Sequence, residues 1–245
     1  GLPLTLLRLN TGHEAVVLEM GTNIRGEIGR LTQIADPDIG VITNIGPAHL
    51  EGLKSLGGVA EEKGDLFLNM KKEGVAIINR DDDAVGTLGD GWTGKKVTFG
   101  IERDALVRAE NIIKSGEEET DFVLVIEETR RRIKIRTLGR HNIYNALAAA
   151  ACSWELGVGY DQICRGVENF EQLSGRMRSY ELKNGAHLID DTYNANPAST
   201  TKAIETLVDL KGDNELIVIM GDMLELGEQA CEMHEKIGQF MAEKN

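Results

Sequence analysis

The chain has 245 residues, of which 41% are hydrophobic and 27% charged, and a net charge of −13 at pH 7. That length buries at least one good core and accommodates two domains, and the composition excludes a disordered chain. The acidic balance excludes a non-specific nucleic-acid surface, which relies on clustered Lys and Arg.

Cys152, Cys164 and Cys231 lie in helix-like segments without metal-ligand spacing and read as reduced thiols. No apolar run approaches the ~20 residues of a membrane span, and no basic region leads into a signal-type core. A cytoplasmic monomer with no nucleic-acid partner and no membrane span is expected.

In chain order, residues 15–20 read as a β-branched strand, 27–35 as a helix, 39–45 as a second strand, 57–72 as a helix and 74–79 as a third strand. Helical crossovers between strands imply a parallel sheet covered on both faces. Residues 95–99, 106–113, 121–126 and 131–138 read as strands of a meander, an antiparallel extension of that sheet. The run Arg130-Arg-Arg132 with Lys134 and Arg136 alternates with Ile133 and Ile135. It reads as the solvated face of a hairpin strand.

Small residues dominate a helix over 141–156, and a second helix covers 160–170. Gln172-Leu-Ser-Gly-Arg176 breaks the pattern, which places a domain boundary there and divides the chain into residues 1–174 and 175–245. Beyond it follow a hairpin (179–183 and 186–190), a helix over 198–210, a strand over 215–220 and a helix over 227–243. The fold class is α/β, a mostly parallel sheet with an antiparallel extension, followed by a second and incomplete α/β unit.

Glu19 ends the first expected strand and His49 lies just past the second, so a right-handed crossover brings both to the C-terminal sheet edge where α/β ligands bind. They form either a metal or phosphate site or a charged strand terminus beside a loop histidine. Lys63 points to the apolar side of its helix among Val59, Ala60, Leu66, Phe67 and Met70. There it either snorkels or is held neutral and nucleophilic by burial.

Asn142 and Asn145 are one turn apart; paired amides read a nucleobase edge, and capping by Asn142 is the competing explanation. The corner Asp190-Asp-Thr-Tyr-Asn-Ala-Asn-Pro197 ends an apolar strand in polar groups before a Pro-started helix. Arg176 and Asp191 either span a ligand cleft between the two domains or form a structural pair.

Seven segments together resemble the Mur ligases. They are Leu18-Glu-Met-Gly21, Ile42-Thr-Asn-Ile-Gly-Pro-Ala-His-Leu-Glu-Gly52, Glu62-Lys-Gly-Asp-Leu-Phe67, Gly139-Arg-His-Asn-Ile-Tyr-Asn145, Ser174-Gly-Arg176, Asp190-Asp-Thr-Tyr-Asn-Ala-Asn196 and Gly221-Asp-Met-Leu-Glu-Leu-Gly227. The last two look like the branch that adds D-alanyl-D-alanine to UDP-MurNAc-tripeptide.

The resemblance implies an ATP-dependent amide ligase of peptidoglycan synthesis that works through an acyl phosphate. It implies Glu19, His49 and a carbamylated Lys63 as Mg2+ ligands, with Lys63 and His49 catalytic. It also implies Asn142, Asn145, Arg176, Asp191, Tyr193, Asn194 and Asn196 as nucleotide contacts. The second unit would be a Rossmann-like C-terminal domain. A related Mur or folylpolyglutamate-type ligase with another amine, and a non-catalytic nucleotide-binding module, are the alternatives.

Family members begin with a UDP-sugar-binding domain and a P-loop, whereas this chain opens at Gly1-Leu-Pro-Leu-Thr and holds no Gly-x-x-x-x-Gly-Lys-Ser/Thr motif. It is therefore expected to be a fragment, inactive alone.

Overall fold

The computed structural model describes residues 1–114, 119–137, 139–171 and 173–244. The end of the strand expected over 131–138 and Gln172 of the pattern break lie outside the described residues. Two compact units divide the chain between Val97 and Thr98.

The first unit holds α1 (Leu2–Leu6), α2 (Glu27–Ala35), β1 (Ile39–Ile42), α3 (Leu50–Leu53), α4 (Leu56–Asn69), β2 (Val75–Asn79) and α5 (Asp83–Gly91). Every residue of β2 is buried, as expected for a parallel strand covered on both faces. It pairs parallel with β1 in the register Ile39↔Val75 to Ile42↔Ile78. Ile28 of α2, Leu66, Phe67 and Met70 around α4, and Val85 of α5 close over Ile42, Ala76 and Ile78 as one core.

Helix starts follow local chemistry. Ser55 accepts the Gly58 N–H to cap α4, and Asp82 accepts the Val85 N–H to cap α5.

β3 (Lys95–Gly100) leads into the second unit, which continues with β4 (Val107–Lys114), β5 (Thr120–Ile126), β6 (Thr129–Ile135), α6 (Arg140–Glu155), α7 (Tyr160–Glu168), β7 (Arg178–Glu181), β8 (His187–Asp190) and α8 (Pro197–Lys211). A 3-10 turn (Gly227–Gln229) and α9 (Ala230–Glu243) complete it. Strands β1 to β6 form one mixed sheet in chain order, and β7 and β8 form a separate hairpin.

The expected antiparallel meander is β4, β5 and β6, but β3 and β4 pair parallel over Phe99↔Val107 and Gly100↔Arg108. Only the tip of β3 meets the start of β4, so the chain retraces two residues and needs no helical crossover. Cationic residues of β6 form surface ion pairs, Arg130 with Glu110 and Lys134 with Glu119 on the solvated face and Arg131 with Asp161 on the other.

Two expected strands do not form. Residues 15–20 and 215–220 lie in no ladder, with Val17 95% and Ile219 91% exposed. β-branched patterning makes a segment ready to pair but does not supply the neighbour it pairs with. Short α1 and α3 and the glycine-rich α5 were not expected.

Candidate functional site

In the first unit the two carboxylates Glu27 and Glu62 organise the turn over residues 22–26 and the start of α2. Glu62 is only 2% exposed. Its Oε2 accepts from Gly26 N at 2.6 Å, and its Oε1 accepts from Ile28 N at 2.8 Å and from Thr22 Oγ1 at 3.0 Å. A helix N-terminus leaves such N–H groups without partners and carries partial positive charge, so a carboxylate from α4 satisfies both needs.

Glu27 Oε2 accepts from Asn23 N at 2.7 Å and Ile24 N at 3.1 Å. Those backbone bonds, and more weakly the charge of His49, hold the Glu27 carboxyl below its usual pKa. Sequence reading passed over Glu62, although it stands three residues after Val59 and four before Leu66, on the apolar stripe itself.

Lys63 follows Glu62 and faces elsewhere. Its Nζ donates to the Asn44 carbonyl oxygen at 2.9 Å, beyond the end of β1. Burial pushes its pKa below the ordinary lysine value, opposed by the charge of Asp82. Asp82 also accepts from Ile45 N at 2.8 Å, and Asn79 at the end of β2 donates to the Thr43 carbonyl oxygen at 2.8 Å. Lys63 thus reaches the C-terminal edge of the β1–β2 pair, where its Nζ is held by the Asn44 carbonyl oxygen.

His49 is half-buried at the N-cap of α3, in a left-handed conformation with φ 55°. Glu19 lies exposed in the segment that forms no strand, so the crossover expected to bring it beside His49 is not built from a strand there. Among the described residues no group of three or more His, Cys, Asp or Glu is placed to hold a metal. An amine at Lys63 offers a hard dication no oxygen, so Glu19, His49 and unmodified Lys63 do not fit magnesium. A carbamate on Lys63 would supply the oxygens.

In the second unit the polar corner folds against the turn at Gly175. The Arg176 guanidinium lies over the Tyr193 ring, 3.9 Å from its centroid. Tyr193 N donates to the Gly175 carbonyl oxygen at 3.0 Å, and Met177 N donates to Asp191 Oδ1 at 3.1 Å. Gly175 has φ 73°, and a Cβ there would crowd the Tyr193 backbone nitrogen at 3.2 Å, so both conformation and space require glycine.

Arg176 and Asp191 therefore sit on adjoining segments within one unit. Burial pushes the Asp191 carboxyl up, against the Met177 N–H and the charges of His141 and Arg176. The side-chain oxygen of Asn194 accepts from Ala195 N, and that of Asn196 accepts from Ser199 N as the N-cap of α8, with Pro197 in its first turn.

Asn142 does not cap α6. Gly139 is the N-cap, without a side-chain bond, and Asn142 stands a turn inside the helix where its Oδ1 accepts from Asn145 Nδ2 at 3.2 Å. The two amides form one pair on the helix surface. His141 precedes them and interacts with Asp191 and Lys202.

Burial lowers the His141 pKa below 6.5; Asp191 opposes this and Lys202 adds to it. The unfolded chain then binds more protons just below pH 6.5, so stability falls with acidification through that window and is level above it. His141→Gln is expected to flatten this part of the pH profile, read by denaturant midpoints between pH 7.5 and pH 5.

The Mur ligase middle domain matches residues 1–153, and the Mur ligase glutamate ligase domain matches residues 175–245. UDP-N-acetylmuramoyl-tripeptide--D-alanyl-D-alanine ligase of Haemophilus influenzae is 37% identical over 242 residues, 98% of this chain and 52% of that protein. A crystal structure of MurF from Acinetobacter baumannii aligns with TM-score 0.88 at 30% identity, over 98% of this chain and 52% of its own. MurF from Thermotoga maritima, solved in complex with ADP, aligns with TM-score 0.82 at 26% identity, over 98% of this chain and 54% of its own. The chain spans about half the length of the curated relatives it matches. With a family match across more than half its residues, the chain belongs to the Mur ligase family.

Proposed function

We propose that the protein carrying these residues is an ATP-dependent amide ligase of peptidoglycan precursor synthesis, joining D-alanyl-D-alanine to UDP-MurNAc-tripeptide. The observation that carries this reading is the 37% identity, over 98% of the chain, to a ligase of that name. In the proposed reaction the carboxylate of the tripeptide takes the γ-phosphoryl group of ATP and ADP leaves. The amine of D-alanyl-D-alanine then attacks the acyl phosphate, losing a proton as phosphate departs and the amide forms.

Residues 1–174 are assigned to the central ATP-binding domain and 175–245 to the C-terminal domain. Asn142 and Asn145 face the adenine, Asp191 the ribose, and Arg176, Tyr193, Asn194 and Asn196 the rest of the nucleotide. Lys63, once carbamylated, joins Glu19 and His49 as a ligand set for Mg2+, with His49 and Lys63 catalytic. When bound, magnesium offsets the charge of the ATP phosphates.

The proposed location is cytoplasmic; among the described residues no helix is long and apolar enough to cross a membrane. A monomer completes the proposal.

The test is phosphate release from ATP by the protein at its natural length, expected only when UDP-MurNAc-tripeptide and D-alanyl-D-alanine are both present. Turnover only with a different amine would replace this reading by a related ligase. Nucleotide binding without turnover on any amine would replace it by a binding module.

A further inference from the structure

We propose that Glu62 is a positioning residue for the Lys63 site, a carboxylate latch that fastens the turn over residues 22–26 and the N-terminus of α2 to α4. The inference deepens the ligase reading above and rests on it for its effect on turnover. Consecutive residues on a helix point about 100° apart, so α4 can direct Glu62 to α2 and Lys63 to the end of β1 at once. Both groups are held at their tips: Glu62 by Gly26 N, Ile28 N and Thr22 Oγ1, and Lys63 by the Asn44 carbonyl oxygen.

Thr22 is itself only 7% exposed, and its single hydroxyl proton is shared between Glu62 Oε1 and the Ile24 carbonyl oxygen at 2.9 Å, so the latch closes on the buried end of a turn whose residues 23–26 are exposed. The same turn bears on α3. A Cβ at Gly52 would overlap the Asn23 carbonyl oxygen, and α3 begins at His49, whose charge acts on Glu27. The Glu62 carboxylate therefore sits where the segments carrying His49 and Lys63 meet a common turn.

Removing it takes the acceptor from the Gly26 and Ile28 N–H groups, of which Ile28 is buried, while the Thr22 hydroxyl keeps the Ile24 carbonyl oxygen, and the turn must rearrange to give the Ile28 N–H another partner. Formate has the same two oxygens as the lost carboxylate and is small enough to take their place. A residue that only fills space would gain nothing from it.

Glu62→Ala is expected to lower turnover about 10–100-fold, as loss of a supporting partner does at such sites, with little change in KM for ATP. Formate restores turnover with saturation and chloride does not, while Glu62→Gln, with one acceptor oxygen, is intermediate. Hydrogen exchange at the Gly26 and Ile28 amides is read alongside. It is expected to accelerate in Glu62→Ala and to slow again with formate, whether or not the protein proves to be a ligase.

If Glu62→Ala does not fold, Glu62→Gln carries both measurements. Unchanged exchange at the two amides overturns the latch. A folded variant with unchanged turnover, or with lost turnover that formate leaves lost, overturns its positioning role. Altered exchange in a protein without ligase activity on any amine leaves the latch and removes the ligase reading instead.

Discussion

Lys63→Ala is expected to cut ligase turnover by at least about 10²–10³-fold, the cost of losing one preorganised electrostatic group at a reacting centre. Bicarbonate is expected to raise the turnover of the unmodified protein and to leave the variant unchanged. The side chain is prepared for this chemistry. Burial disfavours its charged form, and its Nζ is held at 2.9 Å from the Asn44 carbonyl oxygen.

A neutral amine adds to the carbon of carbon dioxide, one N–H proton leaves to water, and the group becomes an anion. One N–H would remain on the nitrogen as a donor for the Asn44 carbonyl oxygen. Labelled bicarbonate gives a direct reading, since a carbamate carbon signal is expected in the unmodified protein and none at this position in Lys63→Ala. Full turnover in the variant would remove the carbamate from the proposal.

Arg176→Ala is expected to raise KM for ATP by roughly ten- to a hundredfold with a smaller effect on kcat. A hydrogen bond to a charged group contributes about 1.5–3 kcal/mol, and each ~1.4 kcal/mol is a factor of ten in affinity. The guanidinium is preorganised by its stack on Tyr193, 3.9 Å from the ring centroid. The stack itself contributes about 0.5–1 kcal/mol at an exposed site. Arg176→Lys keeps the charge and loses the planar fork, so an intermediate effect is expected. Calorimetry with ADP checks the binding part, and equal affinity in Arg176→Ala would take Arg176 out of the nucleotide site.

The central elements were legible from local patterns. Residues 27–35 were expected as a helix and form α2 with those bounds, and the expected strand at 74–79 is β2 but for its first residue. Amphipathic spacing and β-branched runs act within one segment, and no tertiary information is needed to read them. The polar corner before Pro197 was legible for the same reason, since Asn196, Pro197 and Ser199 make a helix start out of adjacent residues.

The misses share one cause. Residues 15–20 and 215–220 carry strand character, but a strand exists only with a partner, and pairing is non-local. Capping was one of two readings open for Asn142, because its residue type favours caps, yet Gly139 opens the helix three residues earlier. Lys63 attracted attention as the odd charge on an apolar face, while Glu62, the more deeply buried charge, was passed over.

Segment identity, the order of motifs and the kind of chemistry they imply are properties of neighbouring residues, and the chain declares them unaided. The partners that make those residues into a site are not. The Glu62 carboxylate meets amides 36 and 34 residues away, and Lys63 meets a carbonyl 19 residues away. Packing α4 against both α2 and the β1 edge established those contacts, because a buried carboxylate is tolerable only where the fold brings it hydrogen-bond partners, and a half-buried amine gains from one.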